Sequence, residues 1–367
     1  MGATVRAPAR HDTYLRGHGH GARPPATRRR RPGGLPSALV STGPEVDANG
    51  VRFRLADRGY AGVRLQQELE RPRSGPPLAR RDGVWEVAYR RRQVDRMEYR
   101  FEADGESFCD PGNPRRVPGA FGEKSVIEFP GYAPPAWLAA PDPGPAVPVA
   151  EHARLWSAPG TDPRRPLPLL VVHDGTEYER IGQLTRLVAH AVATGRLPPC
   201  RVALLDSPDR DDDYSASARC ARSLAVLLPR LAPASTCAGL GASLGALALL
   251  HARWLHPGAL RALYLQSGSY FRVRWDRHEA GFPRFRRISR FVGTVLRAGR
   301  AAAPIRITLT CGAPEENLAN NRAVAAALRR QGHDARLVIN RDAHNPTAWR
   351  DTLDPHLLDL LARAWNA

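Results

Sequence analysis

The chain has 367 residues, which is longer than one typical domain and long enough to bury at least one large core. Its formal net charge is +18, but Lys124 is its only lysine, so arginine carries nearly all of the positive charge. Eight arginines lie in residues 1–40 beside one acidic residue, Asp12, and the rest of the chain is only moderately basic. The sequence contains no run of 18 apolar residues and no recognised nucleic-acid-binding motif. We therefore expect neither a membrane nor a nucleic-acid partner.

The cysteines and the amino-terminal arginines bear on the cellular compartment. The five cysteines form no CxxC pair and fall mostly in apolar runs, which favours reduced, buried thiols. Arg28 to Arg31 resemble the start of a twin-arginine signal, but Pro32-Gly33-Gly34 follows where a signal has an apolar stretch. We expect a cytoplasmic protein.

The first third of the chain divides into a tail and a strand-rich region. Residues 1–44 are rich in Arg, Gly, Pro and His and lack apolar periodicity, which predicts a disordered basic tail. Residues 45–132 hold short alternating segments separated by turn residues such as Asp82-Gly83, and this pattern favours a small β-sandwich. The predicted strands are 51–55, 63–69, 84–89, 97–101 and 125–129.

Residues 133–150 predict a Pro-rich linker, since seven prolines fall between positions 130 and 148. Residues 151–367 then alternate apolar strand and amphipathic helix patterns, which predicts a three-layer α/β domain with a mostly parallel sheet. The predicted strands are 167–173, 202–205, 236–240, 260–265, 305–310 and 335–340. The predicted helices are 181–194, 218–231, 244–254, 321–330 and 348–364.

The strand at 236–240 passes into the helix at 244–254 through Gly241-Ala242-Ser243-Leu244-Gly245. A Gly-x-Ser-x-Gly pentapeptide is weak evidence alone, but a strand-to-helix setting is what a nucleophile elbow requires. Glycines at both ends permit the sharp turn that holds the serine in a strained conformation. The pattern predicts Ser243 as a nucleophile, and the alternative is an ordinary serine in a tight turn.

A serine nucleophile needs a general base, and in an elbow-type hydrolase the order along the chain is serine, acid, histidine. Glu315 follows the strand at 305–310 and is our candidate acid, with Glu316 as its competitor. His344 follows the strand at 335–340 and is our candidate base, unless it is simply a solvated surface histidine. Because these strands end at one edge of a parallel sheet, the three side chains are expected to meet there.

Two backbone amides should stabilise the oxyanion of an acyl-transfer reaction. The first is that of Leu244, which follows the nucleophile. The second should come from the loop after the strand at 167–173, where Gly175 and Thr176 are the candidates, although a plain turn is an alternative. This chemistry needs no metal and no cofactor.

Several motifs in order resemble the enterochelin (siderophore) esterases, of the esterase-D-like branch of the α/β hydrolases. The resemblance covers about residues 45–365. It is carried by these motifs: Asp174-Gly175; Arg210 with Asp213-Tyr214; Leu227-Leu228-Pro229; Gly-Ala-Ser-Leu-Gly; Gln266-Ser267-Gly268-Ser269; Gly312 with Glu315; and His344 with Trp349-Arg350. The resemblance implies an Ig-like early-set domain at 45–132, an α/β-hydrolase domain at 151–367, and hydrolysis of ester bonds in a catecholate siderophore. Two departures concern the substrate: Thr176-Glu177 replaces the tryptophan frequent after Asp-Gly, and Asn345 follows His344 in place of an acidic residue.

The segment after Ser269 suits an anionic aromatic ligand. Arg272 and Arg274 are candidates to pair with catecholate or carboxylate oxygens, and Tyr270 or Trp275 to stack on a ring, although solvated arginines are common. The expected partner is thus a small-molecule ester, with a ferric siderophore as one case. An esterase acting on acylated glycans or other small esters, an acyltransferase and a non-catalytic binding protein on a hydrolase scaffold stay open as alternatives.

Overall fold

A computed structural model describes residues 43–69, 75–119 and 122–365. These residues belong to one compact unit that spans positions 41–367. The predicted tail lies outside the described residues except for Gly43 and Pro44. Within the described part of the chain, no helix combines the length and apolarity needed to cross a membrane.

The region 45–132, which we name the β-domain, contains two antiparallel sheets. One sheet has the order β1-β2-β5-β4, and the other has the order β3-β6-β9-β8 with β7 paired to β6. The strands are β1 (Glu45–Val46), β2 (Gly50–Ala56), β3 (Val63–Gln67), β4 (Ala79–Arg81), β5 (Val84–Arg90), β6 (Arg96–Ala103), β7 (Glu106–Phe108), β8 (Arg116–Val117) and β9 (Lys124–Glu128).

Both sheets of the β-domain contribute to one core. Alternate residues of β2 point inward, as the two-residue period of a strand requires, and Phe53 among them is fully buried. Its ring lies 4.5 Å from that of Tyr99 on β6, in the opposite sheet. Two sheets that share a core in this way agree with the predicted sandwich. Its Ig-like classification stays a prediction.

The predicted linker contributes to the large sheet. A 3₁₀-helix at Ala136–Ala139 buries Trp137 in the core of the α/β region. Strand β10 (Val147–Ala150) then pairs antiparallel with β11 (Ala153–Ser157) at the edge of the sheet. Pro148 is tolerated there because an edge strand leaves one row of backbone N–H groups unpaired.

The large sheet has eight strands in the order β10-β11-β13-β12-β14-β15-β16-β17, and the six strands from β13 to β17 in this order are mutually parallel. The further strands are β12 (Leu167–His173), β13 (Arg201–Leu205), β14 (Ala234–Ala242), β15 (Ala262–Gln266), β16 (Arg306–Gly312) and β17 (Asp334–Asn340). The helices are α1 (Gly175–Arg180), α2 (Leu184–Ala193), α3 (Arg210–Asp213), α4 (Ala218–Leu231), α5 (Leu244–Leu255), α6 (Phe285–Arg297), α7 (Leu318–Arg330), α8 (Pro346–Asp351) and α9 (His356–Trp365).

Helices cover both faces of this sheet. Ala238 and Leu240 of β14 share a buried cluster with apolar residues of α2 and α9. Gly239, between them, points to the other face, where a Cβ atom would lie 3.1 Å from Leu249 of α5. The arrangement is therefore the three-layer α/β fold predicted from the sequence.

Several helical segments differ from the prediction, among them the short helices α1 and α3, which were not predicted. The predicted helix 181–194 starts later, at Leu184, because Gln183 adopts a left-handed conformation with φ 47°. The predicted helix 348–364 is divided into α8 and α9, since Pro355 has no N–H to continue the hydrogen-bond ladder. Helix α6 was not predicted, although its buried residues recur at helical spacing.

A buried hydrogen-bond network offers a test of the β-domain core. The Tyr99 hydroxyl donates to Asp110 Oδ2 at 2.6 Å and accepts from Asn113 Nδ2 at 3.1 Å. Asp110 is fully buried. In a Tyr99→Phe variant the Asp110 carboxylate loses a hydrogen-bond donor. We therefore expect the free energy of unfolding to fall by about 1–3 kcal/mol in urea titrations. Tyr60→Phe removes the same group from a partly exposed ring of this domain and is the control. Equal stability losses in the two variants would contradict the role of the network.

Candidate active site

Strand β14 runs directly into α5 through a strained turn at Ser243. The serine has φ 55° and ψ −120°, a conformation that non-glycine residues rarely adopt. A Cβ atom on Gly241 would lie 2.7 Å from the carbonyl carbon of Gly245, so only glycine fits there. A Cβ atom on Gly245 would lie 3.2 Å from Asp174 Oδ2. The pentapeptide thus has the geometry of a nucleophile elbow.

Glu315 and His344 form a hydrogen-bonded pair at the same edge of the sheet. His344 Nδ1 lies 2.8 Å from Glu315 Oε2. The other carboxylate oxygen accepts hydrogen bonds from Ser267 Oγ at 2.7 Å and from the Gly312 amide at 2.6 Å. The Glu315 side chain is 1% exposed, whereas that of His344 is 28% exposed. The carboxylate therefore lies behind the imidazole, which faces the solvent side of the site.

The side chain of Glu316, the competing candidate acid, points towards His278. Its Oε2 lies 3.5 Å from His278 Nε2, and its side chain is 29% exposed. His278, Glu279 and Glu316 offer ligand atoms within 4.8 Å of one another, but the group is partly or fully exposed and separate from the Glu315–His344 pair. Geometry therefore favours Glu315 as the partner of the histidine.

The Ser243 hydroxyl forms a hydrogen bond with the hydroxyl of another serine, Ser269. Ser243 Oγ lies 3.0 Å from Ser269 Oγ, and among the described residues no hydrogen bond joins it to the His344 imidazole. Hydrogen bonds of catalytic groups are often long or absent before a substrate binds, so this arrangement is compatible with a resting site. Ser269 follows β15, and its own amide donates to the Ser243 carbonyl at 3.1 Å. The structure thus brings a second hydroxyl next to that of Ser243.

The two candidate oxyanion donors after β12 differ in availability. The Thr176 amide donates to Asp206 Oδ1 at 2.9 Å, and its hydroxyl donates to Asp206 Oδ2 at 2.7 Å. Thr176 is therefore not the second donor in this arrangement, because a carboxylate occupies its amide. Gly175 is buried at the start of α1, where a Cβ atom would lie 2.7 Å from the Leu204 backbone. Gly175 and Leu244, each the first residue of its helix, stay as the candidates.

A charged pair supports the loop that carries Gly175. Arg210 Nε and Nη2 donate to the two carboxylate oxygens of Asp174 at 2.7 and 2.8 Å. Asp174 has φ 56°, so this two-point contact holds the chain in a strained conformation beside the elbow. The sequence contained both residues, but only the fold reveals that they meet across 36 positions.

His173, at the end of β12, lies beneath the elbow as an uncharged group. Burial lowers the pKa of His173 to about 4. Its ring stacks on Tyr214 with centroids 4.4 Å apart, and its Nδ1 lies 3.3 Å from the Gly245 carbonyl oxygen. In a neutral imidazole the Nδ1–H group can donate a hydrogen bond to that carbonyl while the ring packs against Tyr214. His173 therefore supports the start of α5.

Only some side chains of the predicted ligand-binding segment, residues 270–275, are accessible to a ligand. Tyr270 is fully buried, so its ring cannot stack on a ligand as predicted. The Arg272 guanidinium lies 3.6 Å from the centre of the Trp275 ring, and Trp275 is 48% exposed. Arg272 and Arg274 line a cavity of about 300 Å³ together with Arg297 of α6. Ser243, Glu315 and His344 are not among the described residues of its wall. Trp275, with the Arg272 guanidinium over its ring, is thus an exposed aromatic side chain of this segment, and Arg274 is an exposed cation.

Comparisons with known proteins bear on the fold. A scan against protein-family models finds no match, and neither does a search of curated proteins. Among solved structures, the ferric enterobactin esterase from Salmonella typhimurium has a TM-score of 0.70 and 19% identity, and the alignment covers 89% of this chain and 98% of that one.

The enterobactin esterase from Shigella flexneri, crystallised in the presence of enterobactin, is similar as well. It has a TM-score of 0.67 and 20% identity, and the alignment covers 89% of this chain and 96% of that one. A second structure from Shigella flexneri, described as an enterochelin esterase, has a TM-score of 0.68 and 20% identity, with coverage of 88% and 95%. At this level of identity the likeness concerns the fold. The chain therefore has the fold of the enterobactin esterases, which confirms at that level the resemblance found in its sequence.

Proposed function

We propose that the chain is a serine esterase in which Ser243, Glu315 and His344 form the catalytic triad. The observation that supports this most is the 2.8 Å hydrogen bond between His344 Nδ1 and the buried Glu315 carboxylate, at the sheet edge where the strained Ser243 elbow lies. A carboxylate in this position fixes the tautomer of the imidazole and stabilises its protonated form. The remaining nitrogen, Nε2, is then free to accept the serine proton.

The proposed reaction has two halves. Ser243 Oγ rotates from Ser269 towards His344, gives its proton to Nε2 and attacks the ester carbonyl. The oxyanion accepts hydrogen bonds from the Leu244 and Gly175 amides, and the strained turn holds the first of them in place. His344 then protonates the leaving alcohol. In the second half His344 takes a proton from a water molecule that attacks the acyl carbonyl, and it returns this proton to Ser243 Oγ as the bond between Oγ and the acyl carbon breaks and the acid is released.

For the substrate, we propose a catecholate siderophore of the enterochelin type. The fold likeness to enterobactin esterases supports this choice, and so does the segment after Ser269, which carries Arg272 over the half-exposed Trp275 ring and the exposed Arg274. Cations suit catecholate oxygens, and an aromatic face suits a catechol ring. The proposal includes an Ig-like β-domain, as in the sequence resemblance, and a cytoplasmic location.

A fluorophosphonate probe tests the nucleophile. We expect it to label the wild-type protein and not a Ser243→Ala variant, because only an activated serine reacts with it. Ser269→Ala is the matched control, since this serine contacts Ser243 and, among the described residues, no hydrogen bond joins its hydroxyl to a histidine; the variant should still be labelled. If the wild type stays unlabelled, or if Ser243→Ala is labelled equally, the hydrolase proposal fails.

A substrate panel tests the specificity. We expect iron-loaded tricatecholate trilactone to be opened to linear and monomeric products, followed by mass spectrometry. Simple acyl esters, an acylated glycan and an acceptor alcohol complete the panel. Cleavage restricted to simple or glycan esters would reject the siderophore, and a dominant ester product with the alcohol would identify an acyltransferase.

The choice of acid is tested by two isosteric substitutions. Glu315→Gln keeps the shape of the side chain but removes its charge, and we expect kcat to fall by about 10²–10⁴-fold, as for other triads that lose their carboxylate. Glu316→Gln is the matched control and should keep kcat close to the wild-type value, because Glu316 contacts His278 instead. The reverse ranking of the two variants would transfer the role to Glu316.

A further inference from the structure

The loop that carries His344 is attached to the β-domain by its backbone. We name residues 341–345 the histidine loop. The Asp95 amide, in the β-domain, donates to the Arg341 carbonyl at 2.8 Å, and Arg341 Nε donates to Asp95 Oδ1 at 2.9 Å. Ala343 is 3% exposed and belongs to the hydrophobic core of the β-domain. The residues around His344 are therefore held by a region that lies more than 200 positions earlier in the chain.

One buried arginine contacts the histidine loop on both sides of His344. Arg96, the first residue of β6, is 1% exposed. Its Nη1 donates to Asp342 Oδ2 and to Asn345 Oδ1, each at 3.0 Å. Its Nη2 donates to Glu98 Oε1 at 2.8 Å. A single planar guanidinium thus fixes two loop residues relative to the β-domain.

The two loop residues transmit this constraint to the local backbone. Asp342 Oδ1 accepts hydrogen bonds from the Ala343 amide at 2.7 Å and from Asn345 Nδ2 at 3.2 Å. Asn345 Oδ1 also caps α8 by accepting from the Ala348 amide at 2.8 Å. Helix α8 carries Trp349, whose ring meets the His344 ring edge-on with centroids 5.1 Å apart. Displacement of Asp342 or Asn345 would therefore move the His344 imidazole.

Stability alone does not account for this buried network. Taking an arginine and two carboxylates out of water costs several kcal/mol per ion, and apolar replacements of such networks are often neutral or stabilising. What a forked, charge-assisted contact does supply is a fixed geometry. Here that geometry surrounds the proposed general base.

We propose that Arg96 is a positioning residue for the reaction: through Asp342 and Asn345, the β-domain holds His344 between Ser243 and Glu315. This inference rests on the proposed function. It gives the β-domain a role in catalysis that is separate from ligand binding. We name the contacts of Arg96 with Asp342 and Asn345 the clamp. The clamp defines where the imidazole lies, and Arg96 itself does not contact the reacting atoms.

The test uses the full-length chain with Arg96→Ala. A misplacement of the base by about 1 Å costs about 10²-fold in rate, so we expect kcat for ester hydrolysis to fall by about 10- to 100-fold with KM little changed. Arg96 and Asp342 line a cavity of about 660 Å³, which offers a small cation a way to the vacated position. Guanidinium ions at non-denaturing concentrations should restore kcat, whereas sodium chloride at equal ionic strength should not. Failure of guanidinium to restore kcat would count against the clamp.

Arg201→Ala is the matched control. Arg201 is 2% exposed and donates four hydrogen bonds to backbone carbonyls, but it starts β13 at the sheet edge opposite the site. The Arg201→Ala variant should have a lower free energy of unfolding in urea titrations, and its folded fraction should keep the wild-type kcat. An equal loss of kcat in both variants would reduce Arg96 to a structural role and overturn the proposal.

A second variant covers the case in which Arg96→Ala does not fold. Arg96→Lys retains the buried charge, but one ammonium cannot reproduce the planar fork to both Asp342 and Asn345. We expect a kcat between those of the wild type and Arg96→Ala. An unchanged kcat in this variant would contradict the clamp.

A spectroscopic measurement separates this inference from the proposed function. The His344 Nδ1 proton bonded to Glu315 should give a downfield proton NMR signal, assigned by its loss in Glu315→Gln. It should shift or broaden in Arg96→Ala and return with guanidinium. If this result is obtained with a protein that cleaves no ester, the positioning of His344 by Arg96 is supported and the proposed esterase function is rejected. An unshifted signal in an active enzyme would reject the clamp alone.

Discussion

The carboxylate of Glu315 is the group on which the arrangement of the site depends. It is almost completely buried, so its negative charge is tolerable only if donors surround it. Those donors come from three separate segments: Ser267 after β15, the Gly312 amide at the end of β16, and His344 after β17. A Cβ atom at Gly312 would overlap the Asp342 carbonyl oxygen, so the glycine also permits the histidine loop to pass this close. One buried charge thus fixes the relative positions of three consecutive strand ends.

The parallel sheet makes this convergence possible. Neighbouring parallel strands place their carboxyl ends at one edge, so residues that follow β12, β14, β15, β16 and β17 meet there. Three of these residues, Asp174, Ser243 and Ser267, have positive φ angles. Strained conformations persist only where surrounding contacts enforce them, and here each is held by hydrogen bonds to a neighbouring strand end or loop. The strained residues and the proposed catalytic residues thus lie at the same edge of the sheet.

Much of this was predictable from the sequence because it depends on local patterns. Alternating apolar segments predicted the layers of the fold, and glycines at a strand-to-helix junction predicted the elbow at Ser243. Spacing could not separate Glu315 from Glu316, since both follow the same strand by a few residues and only burial distinguishes them. In the same way, aromatic character singled out Tyr270, but long-range packing places it in the interior.

The longer-range features had no signal in the sequence. Arg96 and Asp342 are 246 positions apart, and nothing in the motifs that contain Arg210 and Asp174 indicates that these two residues are in contact. Because arginine carries nearly all of the positive charge of the chain, the sequence gives no indication of which arginines are buried. Several arginines in fact bind carboxylates or backbone carbonyls in the interior, as Arg96 and Arg201 do. Arginine suits such positions, since its planar fork satisfies several acceptors at once and stays charged.

The clamp between Arg96 and the histidine loop also sets an order of events during synthesis. Arg96 leaves the ribosome early, and its partner Asp342 is added only after β16 has been translated. The loop cannot be fixed until both the β-domain and the last strand of the sheet are in place, because the contact spans most of the chain. A nascent or truncated chain that already displays Ser243 consequently lacks a fixed base for it. The proposed hydrolytic activity should therefore arise only once the full fold has closed.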